Sequence, residues 1–77
     1  MDEVIEILEE LKPGVDYAAQ TTLVDDHILD SLTIIALIAE LEEEFDVTIP
    51  AVEIVPANFN SAAAIAALVS RLEDEDL

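Results

Sequence analysis

"SLTIIALIAELEEEF", residues 31 to 45, opens the most apolar run in the chain, and its spacing predicts the central helix of the fold. Leu32, Ile35, Ile38, Leu41 and Phe45 recur at three- and four-residue intervals, with Leu37 beside Ile38 and Ile34 widening the stripe. This stripe is expected to face the core and to supply most of its area. The residues just before it, Asp30 and Ser31, make an ordinary helix start, since both types cap N-termini well. With Asp30 as the cap, Ser31 falls in the first turn with a free hydroxyl. A phosphodiester there would meet backbone N–H groups and the positive end of the helix dipole. Capping physics permits that modification and does not demand it.

Upstream, residues 2 to 12 read as a helix, with Val4, Ile5, Leu8 and Leu11 inward. Pro13 and Gly14 stop it. A long connection follows, "GVDYAAQTTLVDDHILD", residues 14 to 30, whose apolar content predicts a loop packed over the bundle. Downstream, "DVTIP" at 46 to 50 reads as an extended loop, because no strand exists to pair with it. "AVEIV" at 51 to 55 reads as a short helical turn. Asn60 is the expected N-cap of a last helix, residues 61 to 72, with Ile65, Leu68, Val69 and Leu72 inward. "EDEDL" should fray, because acid at a helix C-terminus opposes the dipole. The expectation is one all-α domain over residues 1–77, three main helices and one short one in a small bundle.

Charge narrows the function. Nineteen Asp and Glu face two Lys and Arg, a net charge of −17 spread along the whole chain. With 53% hydrophobic residues, this is not a disordered acidic tail. Such a field repels nucleic acid and anionic membranes, and it attracts proteins with basic docking patches. No apolar run reaches the length of a membrane span, and the acidic start lacks secretory or transit character. A cytoplasmic monomer, free or as an excised domain, is expected, without nucleic-acid partners or stable membrane insertion.

Catalytic groups are few. There is no cysteine, hence no disulfide and no thiolate metal site, and His27 is the single histidine. Ser31, His27 and Asp30 hold the residue types of a triad, but an acidic loop gives no frame for one. Asp25, Asp26 and Asp30 attract cations loosely and lack the ligand spacing of an EF-hand, so no dedicated metal site is expected. The protein is expected not to be an enzyme, with His27 a loop residue of no assigned chemistry.

"DDHILDSLTIIALIAELEEEFDVTIP", residues 25 to 50, resembles the core of the acyl carrier protein family. The carrying pattern is Asp-Ser-Leu at the start of an apolar helix, an acidic run ending in Phe-Asp, and an extended segment ending in Ile-Pro. The flanking "LKPGVDYAAQTTLVDD" and "NFNSAAAIAALVSRL" fit too. The resemblance implies a four-helix bundle. It implies a covalent 4′-phosphopantetheine on Ser31, taken from coenzyme A by a phosphopantetheinyl transferase. The thiol that the chain lacks would then come from that arm, holding an acyl or aminoacyl group as a thioester. Implied docking residues are Asp30, Leu32, Ile34, Glu42 and Glu53. Ile34, Ile38 and Ile54 are the residues against which cargo would fold back. Further implied partners are an acyl-loading ligase, adenylating enzyme or acyltransferase, and downstream synthases.

Two features depart from fatty-acid carriers. Thr33 and Ala36 stand where many of those have acid. The tail "VPANFNSAAAIAALV" is more similar to stand-alone carriers of specialised pathways, or to peptidyl and D-alanyl carriers. A specialised acyl or aminoacyl carrier is therefore the expectation. A fatty-acid synthesis carrier and an unmodified helical interaction module are the alternatives.

Overall fold

The computed structural model describes residues 2–75. In chain order it holds α1 (Asp2–Leu11), α2 (Ser31–Phe45), a single 3₁₀ turn (Ala51–Glu53), α3 (Pro56–Phe59) and α4 (Ala62–Glu75). No strand occurs among the described residues. The all-α four-helix bundle expected from the sequence is the fold observed. α1 packs on α2 and α4, and α3 packs on α4.

α1 buries Val4, Ile7 and Leu8, with Ile5 and Leu11 against the core edge. Ile7 adds to the inward set that the spacing indicated. The Lys12 amide still bonds to the Leu8 carbonyl at 2.8 Å, after which Gly14 turns the chain away at φ +88°. The connection to α2 is packed, as its apolar content predicts. Tyr17, Leu23 and Leu29 are buried within it, and the Tyr17 hydroxyl donates to the Lys12 carbonyl.

α2 spans the predicted residues, but its inner stripe is centred differently. Leu37 and Leu41 are fully buried, flanked by Ile34, Ile38 and Phe45. Leu32 and Ile35, expected in the core, are 78% and 64% exposed. The cause is helical phase. Leu32 lies nine residues before Leu41, about two and a half turns. It therefore points to the opposite side of the helix. Ile35 is a little over half a turn from Leu37 and faces outward too. Three- and four-residue spacing alone did not fix which apolar row faces inward.

Asp46 ends α2 in the left-handed region at φ 53°, ψ 48°. The next residues run extended, as expected, with Val47 and Ile49 buried. Glu42 Oε2 accepts the Ile49 amide at 2.9 Å and supplies the acceptor a neighbouring strand would have offered.

The second half needs three corrections. The turn after Pro50 covers only 51–53, and the short α-helix lies at 56–59. Pro56 explains both, since it suits a first helical position and forces Val55 extended at φ −130°, ψ 152°. Asn60 does not cap the last helix. Ser61 Oγ accepts the Ala64 amide at 3.0 Å and takes that place. α4 also continues past residue 72 to Glu75. Leu68, Val69 and Leu72 pin its last turns to the core, and good intrinsic propensity outweighs the unfavourable acid. The remainder of the expected frayed end, 76 and 77, lies outside the described residues.

Candidate functional site

Ser31 is the first residue of α2 and is exposed. Asp30 caps the helix in an extended conformation, and its Oδ1 accepts the Thr33 amide at 2.8 Å. Among the described residues none hydrogen-bonds the Ser31 hydroxyl. The bonds from Thr33, its amide first, hold the Asp30 carboxyl below the usual carboxylate range. The result is a fixed charge beside a free hydroxyl, at the end of a helix whose dipole favours an anion. Leu32 and Ile35 present an apolar outer side of α2 nearby, as their exposure shows.

Ile34, one turn beyond Ser31, lines an apolar pocket of about 140 Å³. Its other walls are Val24, Ile54, Val55, Pro56 and Phe59. Residues about three apart lie on one side of a helix, so the hydroxyl and the pocket share a face of α2. Asn60 holds the loop wall in place. Its Oδ1 accepts the Val24 and Asp25 amides at 2.9 and 3.1 Å, and its carbonyl accepts the Leu23 amide at 2.8 Å. The opposite wall hangs from Glu53. Arg71 Nη1 and Nη2 donate to its carboxylate at 2.8 and 3.0 Å. Asn58 Nδ2 donates to its carbonyl at 2.8 Å and to Oε1 at 3.2 Å. The Arg71 hydrogen bonds, the main cause, hold the Glu53 carboxyl below its ordinary value.

The expected residues thus fall into three groups. Asp30, Ser31 and Leu32 meet at the exposed start of α2. Ile34 and Ile54 meet in the pocket, whereas Ile38 packs on the core and is not among the lining residues. Glu42 and Glu53 both use their carboxylates within the chain, on the Ile49 amide and on Arg71. Val24, Val55, Pro56, Phe59, Asn60 and Arg71 were missed by sequence reasoning. Only Asn60 carried a local signal there, as an expected helix cap. His27 lies exposed in the loop at φ 59°. A second, polar groove between α1 and α2 is lined by Glu3, Glu6, Glu10, Glu40, Glu44 and Ile7. Among the described residues no group of three or more acids or histidines is placed to hold a metal ion.

A family model described as a phosphopantetheine attachment site matches residues 2–75. This chain belongs to the phosphopantetheine-binding carrier family. It is 38% identical over 73 residues to a D-alanyl carrier protein of Streptococcus sanguinis (strain SK36), covering 94% of this chain and 92% of that protein. It is 43% identical over 54 residues to a D-alanyl carrier protein of Lactococcus lactis subsp. lactis (strain IL1403), covering 70% and 68%. It is also 38% identical over 79 residues to the lincomycin biosynthesis protein LmbN of Streptomyces lincolnensis. That match takes in 99% of this chain but only 28% of the length of LmbN. No solved structure matches the chain.

A carrier needs one nucleophilic hydroxyl that a modifying enzyme can reach, and a frame that tolerates added charge. The start of α2 offers an exposed hydroxyl at a helix N-terminus. Ser31 is exposed and not used as the cap, and the helix N-terminus faces it. The acid around it, Asp25, Asp26 and Asp30, is exposed and so remains screened by water. As a carrier the chain presents a group to other enzymes and is not itself the catalyst. No helix of the described residues is long and apolar enough to cross a membrane.

Proposed function

We propose that Ser31 Oγ is the attachment point of 4′-phosphopantetheine, and that the chain carries acyl or aminoacyl groups in a specialised biosynthetic pathway. One observation carries the assignment: Asp30, not Ser31, caps α2, so the serine hydroxyl is left exposed with no structural duty. When bound, the group supplies a terminal thiol that holds cargo as a thioester. Coenzyme A is its source, and the cytoplasm is the compartment this reading implies.

The chain's own residues do the rest. Asp30 keeps a negative charge beside the hydroxyl and guides the basic surface of a transferase. Leu32 and Ile35 offer apolar contact to loading and downstream enzymes. Thr33 and Ala36 leave this side of α2 less acidic than in fatty-acid carriers, which favours specialised partners. The names of the relatives, D-alanyl carriers and a lincomycin biosynthesis protein, point the same way. The pocket beside Ile34 and Ile54 shelters the apolar end of the cargo. At about 140 Å³ it is close to the roughly 150 Å³ that accommodates one benzene ring. It therefore suits a short acyl group better than a long chain.

Intact-mass measurement tests the assignment. Incubation with coenzyme A, magnesium and a promiscuous phosphopantetheinyl transferase should add one phosphopantetheine, and Ser31→Ala should block the gain. No gain would leave an unmodified interaction module. A gain that survives Ser31→Ala would place the arm elsewhere. Loading assays with adenylating enzymes and with fatty-acid synthase components then separate specialised from fatty-acid work.

A further inference from the structure

Ile54, Val55 and Pro56 form one wall of the apolar pocket. That wall is poorly anchored by packing. Val52, Ile54 and Val55 are 82%, 42% and 41% exposed, and no residue of the 3₁₀ turn is buried. Apolar burial is therefore a weak restraint on residues 51–56. The polar bonds of Glu53 add a directional one. They run to α4 through Arg71 and to α3 through Asn58, so the segment is tied on two sides. An arginine fork binding both carboxylate oxygens fixes direction as well as distance. Arg71 is also one of only two Lys and Arg in a chain of nineteen acids. Both of its Nη atoms bond to the carboxylate that bears the pocket wall.

We propose that Glu53 and Arg71 are positioning residues of the pocket. Their ion pair, with Asn58, sets how far the Ile54–Val55–Pro56 wall stands from Ile34 and Phe59, and hence the size of group admitted. The functional meaning rests on the reading that cargo enters this pocket. The clamp itself rests on geometry alone.

Amide hydrogen exchange on the unmodified protein tests the clamp. The Ile54, Val55 and Asn58 amides bond to the Ala51, Glu53 and Val55 carbonyls. In Glu53→Gln they should exchange about fivefold faster, while Leu37, Leu41 and Leu23 amides change less than about twofold. Arg71→Gln should give the same local pattern, and the double variant no more than either single one, as coupled partners require. Unchanged exchange at 54–58, equal acceleration in α2, or additive effects in the double variant would each overturn the proposal. A second readout separates it from the cargo reading. On protein loaded with a butyryl thioester, Glu53→Gln should expose the thioester to faster cleavage by hydroxylamine. Faster local exchange with unchanged thioester cleavage would uphold the clamp and sink the cargo role of the pocket. Unchanged exchange would sink the clamp whatever the thioester does.

Discussion

Asp30 Oδ1 accepts the Thr33 amide at 2.8 Å across the intervening Ser31 and Leu32, so the cap and the free hydroxyl are adjacent residues with separate duties. Asp30→Ala should lower the unfolding midpoint in urea, and Asp30→Asn should lower it less, because asparagine also caps well. Ser31→Ala should leave the midpoint nearly unchanged while abolishing attachment of the arm. Urea titrations followed by circular dichroism, and intact mass, measured on the same samples, check the division.

Acid should remove part of the stability. The Asp30 and Glu53 carboxyls are held below their ordinary values of 3.8 and 4.5. A carboxyl with a lowered folded pKa stabilises fully above its unfolded value and loses that contribution as pH falls through the folded one. Between about pH 5 and about pH 2, the wild type should therefore lose more stability than Asp30→Asn or Glu53→Gln. Urea titrations across that range provide the comparison. Parallel curves would show that neither carboxyl is linked to folding.

Leu41 and Leu32 share one helix and should behave in opposite ways. Leu41 is fully buried, and Leu41→Ala should cost about 2–5 kcal/mol by leaving a cavity. Leu32 is 78% exposed, and Leu32→Ala should change stability by less than about 0.5 kcal/mol. Its effect should appear as slower modification or loading by partner enzymes. Denaturant unfolding and single-turnover loading rates would separate the two.

Asn60→Ala removes the acceptor for the Val24 and Asp25 amides. Leaving the part-buried Val24 donor unpaired should cost about 1–3 kcal/mol, while the exposed Asp25 amide can turn to water. Hydrogen exchange should locate the damage at residues 23–25 rather than in α1. Asn60→Asp keeps the acceptor oxygen but sets a second carboxylate where Asn60 Nδ2 donates to Asp25 Oδ2 at 3.3 Å, so it should retain only part of the protection.

A net charge of −17 on 77 residues should make the fold salt-dependent. Raising ionic strength from about 0.01 M to about 0.15 M shortens the Debye length from roughly 30 Å to roughly 8 Å. The melting temperature should rise over that interval, and differential scanning calorimetry would show it.

Much of this was legible in the sequence because it is local. The stops at Pro13–Gly14 and the apolar run from 31 located α1 and α2, and Asp-Ser at the start of α2 located the cap, while the candidate attachment point came from the family resemblance over residues 25–50. Phase was harder to read. α2 carries apolar residues on more than one side, so Leu32 and Ile35 fitted an inner stripe that Leu37 and Leu41 in fact define. The pocket was less legible still. Its walls come from four stretches of the chain, and its clamps join Asn60 to Val24 and Arg71 to Glu53. No local period records contacts between residues so far apart in sequence. Asn60 looked like a cap because asparagine serves helix starts and loop amides equally well, and Ser61 next to it took the capping duty.

The Asn60 contacts also impose an order on folding. They join residues 23–25 to residue 60, so the loop wall of the pocket gains these hydrogen bonds only after about thirty-five further residues have followed. Synthesis proceeds from the N-terminus, and α2 is complete well before Asn60 is made. Ser31 at the start of α2 is therefore in place before the apolar pocket beside it exists. A nascent chain stopped ahead of Asn60 would offer the proposed attachment hydroxyl without the pocket.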